Sequence, residues 1–184
     1  MNEELAQVHP CYSITFTRQS KHSPERLWRA ITDSAEVSRW MAHPAHIDLR
    51  RGGSYAVDFS RTGGLGIDGV IVAVGPPRSS SDPRVTPEAF EPQQLLRYAW
   101  GTGVVEWAIE PHGTGSRYTL TLAGLEMGRI PADAFAAGWH CQLADLERYL
   151  ESGAPSSDGE ARDFWTMLRP DYAPRAAAAL EAAV

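Results

Sequence analysis

Alternation of apolar and polar residues dominates the chain between residues 12 and 122. It is regular around Phe16, Val57, Trp107 and Leu120, where every second residue is apolar. A period of two is typical of a strand with one face buried and the other face in water. The pattern predicts an antiparallel meander, with residues 112–115 as one hairpin loop.

Helical signals flank these strands. Ser23 before Pro24 has the form of a helix start, and Asp33 with Glu36 has capping-box spacing for a second short helix. Pro131 begins a long helix with one apolar stripe, formed by Phe135, Trp139, Leu143, Leu146 and Leu150. The predicted fold class is α+β: a curved antiparallel sheet wrapped round a long C-terminal helix, with two short helices after the first strand.

A series of residues in fixed order carries a family resemblance. In chain order they are Trp28, Asp33, Trp40, Arg51-Gly52-Gly53, Gly69, Pro76-Pro77, Trp100 and Gly138-Trp139. This order resembles the helix-grip proteins of the START-like superfamily, in the branch named after the activator of the heat-shock-protein ATPase. The resemblance covers roughly residues 11–152 and implies one START-like helix-grip domain there.

The resemblance also divides the chain. Residues 1–10 are interpreted as an N-terminal extension, residues 78–92 as an enlarged loop within the domain, and residues 153–184 as a partly helical C-terminal tail. The tail has an apolar cluster around Trp165. This cluster either packs on its own domain or joins two copies of the chain, so a homodimer through the tail is left open.

Composition narrows the class of protein. The 184 residues are 43% hydrophobic with a net charge of −6, which fits one domain with a sizeable core and gives no basic patch for nucleic acid. The acidic start and the lack of a long apolar run predict a soluble, cytoplasmic protein with no membrane partner. Cys11 and Cys141 are expected to be reduced thiols.

Three motifs are interpreted as structural. Residues 64–69 spell G-x-G-x-x-G, but the branched run after Gly69 predicts a strand where a dinucleotide site needs a helix, so no cofactor is expected. His43 and His46 have Pro44 between them and no third ligand beside them, so no metal is expected. His140 and Cys141 are adjacent on a helix and face different directions, so no catalytic residue is assigned.

Aromatic residues on the predicted inner faces give the candidate site. A twisted sheet around one helix tends to enclose a cavity, and aromatic walls suit planar or hydrophobic molecules. The predicted ligand-binding residues are Trp40, Tyr55, Val57, Phe59, Tyr98, Trp100, Trp107 and Phe135. Asp58, Glu106 and Arg97 fall on the outer face, so the pattern offers no charged anchor.

The leading functional prediction is therefore binding of a small hydrophobic or aromatic molecule in an internal cavity. Three alternatives remain open. The resemblance implies a polyketide cyclase or aromatase, with Tyr98 or Tyr55 as proton donor, or an activator of a chaperone ATPase. The tail implies a protein-interaction module.

Overall fold

The structure is a computed structural model that describes residues 6–9, 13–60, 66–75, 94–124 and 131–181. Within these residues eight strands form one antiparallel sheet in the order β1-β2-β8-β7-β6-β5-β4-β3. The strands are β1 Gln7–His9, β2 Ser13–Ser20, β3 Ala45–Ile47, β4 Ser54–Val57, β5 Ile67–Gly75, β6 Gln94–Trp100, β7 Gly103–His112 and β8 Gly115–Ala123. The helices are α1 Pro24–Thr32, α2 Ser34–Trp40, α3 Ala132–Ser152 and α4 Asp158–Glu181.

The two short helices begin at the predicted caps. The Ser23 hydroxyl accepts the Arg26 N–H at 3.3 Å, and the Asp33 carboxylate accepts the Glu36 N–H at 3.0 Å. The Glu36 side chain does not complete a capping box. It is buried instead between the guanidinium groups of Arg26 and Arg29, at 2.6 and 2.7 Å. This ion-pair cluster fixes the junction between α1 and α2.

The strands bury one face, as the alternation predicts. In β7 the side chains of Val105, Trp107 and Ile109 are at most 1% exposed. On β8 the residues Leu120 and Tyr118 lie opposite Trp107 and Ile109 and are equally buried. The inner face of the sheet is therefore continuous across neighbouring strands.

Helix α3 packs its apolar stripe against this inner face. Pro131 occupies its N-cap position, and the helix ends at Gly153 in the left-handed conformation, with φ of 80°. Trp139, Leu143 and Leu146 are buried in the same core as the inner strand residues. A curved antiparallel sheet closed by a long helix, with two short helices after the strand β2, confirms the predicted helix-grip fold.

Both ends of the chain add to this arrangement. In residues 1–10 the strand β1 pairs with β2, and in the tail α4 packs along α3. The Trp165 indole N–H donates to the Ala134 carbonyl at 3.2 Å, and Arg169 pairs with Asp133 at 2.7 Å. The apolar cluster of the tail thus contacts its own domain. None of the helices in the described residues is long and apolar enough to cross a bilayer.

The described end of the glycine motif leads into a strand, and one of the two histidines lies on a strand. Strand β5 begins at Ile67, one residue after Gly66, so a strand occupies the place where a dinucleotide site requires a helix. His46 lies on β3, and the His43 ring packs against the Phe59 ring at 4.6 Å. The predicted enlarged loop, residues 78–92, lies outside the described residues.

Gly69 lets two tyrosine rings stack across strand β5. Tyr55 on β4 and Tyr98 on β6 are parallel within 5°, with ring centroids 4.1 Å apart. A Cβ atom at Gly69 would lie 2.9 Å from the Tyr98 ring and 2.5 Å from the Ala99 carbonyl oxygen. A side chain at Gly69 is therefore incompatible with this stack.

We predict that Gly69→Ala lowers the free energy of unfolding by about 1–3 kcal/mol, because the new methyl group overpacks the core. The matched control is Gly138→Ala in α3, whose added Cβ meets nothing within 4 Å. This control is expected to raise stability by about 0.5–1 kcal/mol through helix propensity. Urea unfolding of the three proteins measures both effects. Equal stability of Gly69→Ala and the wild type would contradict the close approach.

Candidate functional site

Three of the predicted site residues form a fully buried row on the inner face of the sheet. Tyr55, Tyr98 and Trp107 are each at most 1% exposed. The Tyr55–Tyr98 stack joins β4 to β6, and Trp107 continues the row on β7. Its indole ring lies 6.1 Å from the ring of Tyr118 on β8. Inward alternation, which is visible in the sequence, brings these residues together.

The two stacked tyrosines differ in how their hydroxyl groups are used. The Tyr55 hydroxyl donates to the Ile31 carbonyl of α1 at 3.1 Å. Burial, followed by the neighbouring Tyr98, raises the pKa of Tyr55 well above its usual value. Tyr55 is therefore neutral at physiological pH, and its hydroxyl holds the sheet to α1.

The Tyr98 hydroxyl has no hydrogen-bond partner in the described part of the chain, and the same holds for the indole Nε1 of Trp107. Burial raises the pKa of Tyr98, and the Trp107 indole opposes this rise. The two groups thus face each other without reaching hydrogen-bond geometry. Most buried polar groups in proteins have a hydrogen-bond partner. Two neighbouring groups without such a partner in the described residues are therefore an unusual feature of the interior.

A second aromatic group lies where the sheet meets the start of α3. Trp100, at the end of β6, has its ring 6.0 Å from Phe135 and 6.3 Å from Trp139. Its indole N–H donates to the Gly66 carbonyl at 3.0 Å. Trp100 and Phe135 are partly buried, unlike the inner row. The buried row of Tyr55, Tyr98 and Trp107 and this second group together are called the aromatic wall, and Trp100 and Phe135 are its more exposed part.

The remaining predicted residues occupy separate positions. Trp40 in α2 is fully buried, and its indole N–H donates to the Ala30 carbonyl at 2.9 Å. Val57 is a buried residue at the end of β4, and Phe59 follows that strand and packs on His43. The indole N–H of Trp40 is therefore already hydrogen-bonded to the backbone of α1.

The charged residues near the predicted site lie on the outer face, as expected. Arg97 and Glu106 form an ion pair across β6 and β7, with the Arg97 Nε 2.6 Å from the carboxylate. Asp58 is exposed, and hydrogen bonds from the Ser60 side chain and from the Ser60 N–H, the latter at 2.8 Å, lower the pKa of the Asp58 carboxyl group. The polar groups of the predicted site residues are therefore neutral donors, whereas the buried carboxylate of Glu36 is paired with arginines at the junction of α1 and α2.

A cavity of about 600 Å³ lies on the other side of α3, between α3 and α4. The carboxylates that line it are Asp145, Glu147, Glu151, Glu160 and Asp171, with Arg148 as a neighbouring cation. None of the predicted site residues lines this acidic groove. The sequence analysis missed it because the groove depends on how the tail packs, which no periodicity in α3 specifies.

His140 and Cys141 are buried beneath α4. The His140 Nδ1 and the Tyr172 hydroxyl are hydrogen-bonded at 2.8 Å, and this hydroxyl also accepts the Ala6 N–H at 3.0 Å. The Cys141 thiol lies 3.9 Å from the Ala161 carbonyl oxygen. The imidazole is thus directed to Tyr172. The hydrogen bonds of Tyr172 with His140 and with Ala6 therefore link α3, α4 and the start of the chain.

These features define the class of the protein: an α+β helix-grip protein of the START-like superfamily, with an aromatic interior. The family model described as activator of Hsp90 ATPase homolog 1-like protein matches residues 21–151. The chain belongs to this family. No curated protein matches the chain.

Solved structures with the same fold include CalU16 from Micromonospora echinospora, at 20% identity and a TM-score of 0.62, with 94% of each chain covered. The conserved protein of unknown function EF2215 from Enterococcus faecalis has 13% identity and a TM-score of 0.64, covering 95% of this chain and 90% of its own. DynU16 has 21% identity and a TM-score of 0.56, covering 78% of this chain and 48% of its own. At these identities the likeness shows the fold alone.

We predict that Tyr172→Phe lowers the free energy of unfolding by about 1–3 kcal/mol, because it leaves the Ala6 N–H and His140 without their shared partner. Met167→Ala in the same helix is the control, since Met167 is 73% exposed. Chemical unfolding compares the two variants. A Tyr172→Phe protein as stable as the control would show that the hydroxyl does not fasten α4.

Proposed function

We propose that the protein binds a small hydrophobic or aromatic molecule between the inner face of the sheet and α3. The observation that carries this proposal is the continuity of the aromatic wall. Trp100 lies two residues after Tyr98 on β6, on the same face of the strand, and it contacts Phe135. Both Trp100 and Phe135 are partly exposed and pack against the core that contains Tyr98 and Trp107. Large aromatic surfaces with a few neutral polar groups are typical of sites for planar apolar ligands.

The geometry of the accessible group supports a flat ligand. The planes of Trp100 and Phe135 are tilted by 32° with centroids 6.0 Å apart, so the two rings are not stacked face to face. Each ring therefore has surface that a planar molecule can cover. Offset and edge contacts of this kind contribute about 0.5–1.5 kcal/mol per aromatic pair beyond buried area.

The acidic groove between α3 and α4 is the rival location. Its lining carries five carboxylates, two of them in exposed ion pairs with Arg148 and Lys21. An apolar molecule that covered these charged groups would remove them from water, which costs free energy. The aromatic wall has the opposite character. It is therefore the better place for a hydrophobic ligand.

The comparisons are in keeping with a small-molecule ligand. DynU16 is described as a putative protein in the dynemicin biosynthetic locus, and the START-like resemblance includes polyketide cyclases. A cyclase-like enzyme is thus a second candidate, favoured by the unpaired and neutral Tyr98 hydroxyl, which is available as a donor. Activation of a chaperone ATPase, an interaction module and a homodimer through the tail stay predictions.

We predict that Phe135→Ala weakens binding of the fluorescent probe 1-anilinonaphthalene-8-sulfonate about tenfold, because it removes one face of the accessible wall. Met167→Ala is the control and is expected to leave the dissociation constant unchanged. Near-ultraviolet circular dichroism of each variant checks that the fold is intact.

A third variant, Phe164→Ala, tests whether the probe binds in the acidic groove instead, since Phe164 lines that groove. Weaker probe binding in Phe164→Ala together with unchanged binding in Phe135→Ala would place the ligand between α3 and α4. That result would overturn the proposed location.

A further inference from the structure

Two unpaired hydrogen-bond donors lie next to each other in the interior. Tyr98 is 0% exposed and Trp107 is 1% exposed. Neither the Tyr98 hydroxyl nor the Trp107 Nε1 has a partner among the described residues. An unpaired polar group in a core is destabilising, so two such groups side by side call for a partner that the described residues do not supply.

The register of β6 and β7 explains why these groups meet. Tyr98 lies opposite Val105, and Trp107 lies opposite Leu96. Tyr98 and Trp107 are therefore diagonal neighbours on the inner face, at a separation that long aromatic side chains span. Each ring is also held by a second ring contact, Tyr98 by Tyr55 and Trp107 by Tyr118.

The chemistry of the two groups restricts what can satisfy them. An indole N–H donates and cannot accept, so its partner must be an acceptor. A neutral phenol can donate to the same atom. The side chains that ring contact and strand register place beside the pair are Tyr55, Tyr118, Leu96 and Val105, which are uncharged. With no cation among these neighbours, a neutral acceptor fits better than a carboxylate.

We propose that the Tyr98 hydroxyl and the Trp107 indole N–H form a two-donor anchor for one neutral oxygen atom of the bound molecule. Both atoms are closed to solvent in the structure, so the anchor forms when the core opens beside them to admit the ligand. The ligand is then an aromatic or planar molecule that carries a carbonyl oxygen. This proposal rests on the proposed function, because it specifies the ligand of the same interior site. Tyr55 has no part in the anchor, since its hydroxyl is bonded to Ile31.

Two probes of equal shape test the anchor. In 2-acetylnaphthalene a carbonyl oxygen occupies the position that a methylene group has in 2-isopropenylnaphthalene. Competition against 1-anilinonaphthalene-8-sulfonate gives the affinity of the full-length protein for each. We expect the wild type to bind the ketone about tenfold more tightly than the alkene, as two net hydrogen bonds allow. Tyr98→Phe and Trp107→Phe are each expected to reduce this ratio, and the double variant to bring it to about one.

The outcomes separate the two proposals. Equal binding of ketone and alkene by the wild type would overturn the anchor and leave ligand binding standing. Failure of both probes to bind would overturn the proposed function and the anchor with it. An unchanged ratio in Tyr98→Phe would remove that hydroxyl from the anchor.

A second measurement asks whether the protein itself, or a buried water molecule, already satisfies Tyr98. Without ligand, Tyr98→Phe should leave the melting temperature unchanged or raise it, because an unpaired group is removed. Tyr55→Phe is the matched control in the same stack and should lower it by about 2–4 °C, since it breaks a bond to α1. Equal losses in both variants would show that the Tyr98 hydroxyl has a permanent partner and would overturn the proposal.

Discussion

The stack of Tyr55 on Tyr98 over Gly69 is the contact on which the inner face of the sheet depends. Only a residue without a side chain leaves room for it, since a Cβ atom would meet the Tyr98 ring and the Ala99 carbonyl. Tyr55 is tied to α1 through Ile31, so the stack joins the short helices to the middle of the sheet. Its consequence for the site is that Tyr98 is held in one orientation, with its hydroxyl beside Trp107.

Helix α3 separates two environments of opposite character. Its inner face meets the aromatic wall, where the polar groups are neutral donors. Its outer face, covered by α4, lines a groove rich in carboxylates. The His140–Tyr172 bond and the contact of Tyr172 with Ala6 hold α4 and the start of the chain on that outer face.

The order of strands and helices could be predicted from the sequence, because period-two alternation indicates strands with one buried face and the stripe from Phe135 to Leu150 indicates a helix that covers that face. The helix-grip arrangement itself was implied by the family resemblance. The sequence pattern also put Tyr98 and Trp107 on the inner face. It did not reveal that their polar atoms lack partners among the described residues, since pairing depends on the diagonal register of β6 and β7. The acidic groove was equally hidden, because the packing of α4 depends on long-range contacts such as that of Trp165 with Ala134.

Native mass spectrometry of the full-length protein tests the central claim, that the interior binds a small molecule, most directly. The chain has a mass of 20.2 kDa. If the aromatic interior is a binding site, the spectrum shows an added small-molecule mass after purification or after incubation with 2-acetylnaphthalene, and this mass is lost on collisional activation. The bare protein mass under both conditions would contradict a binding function.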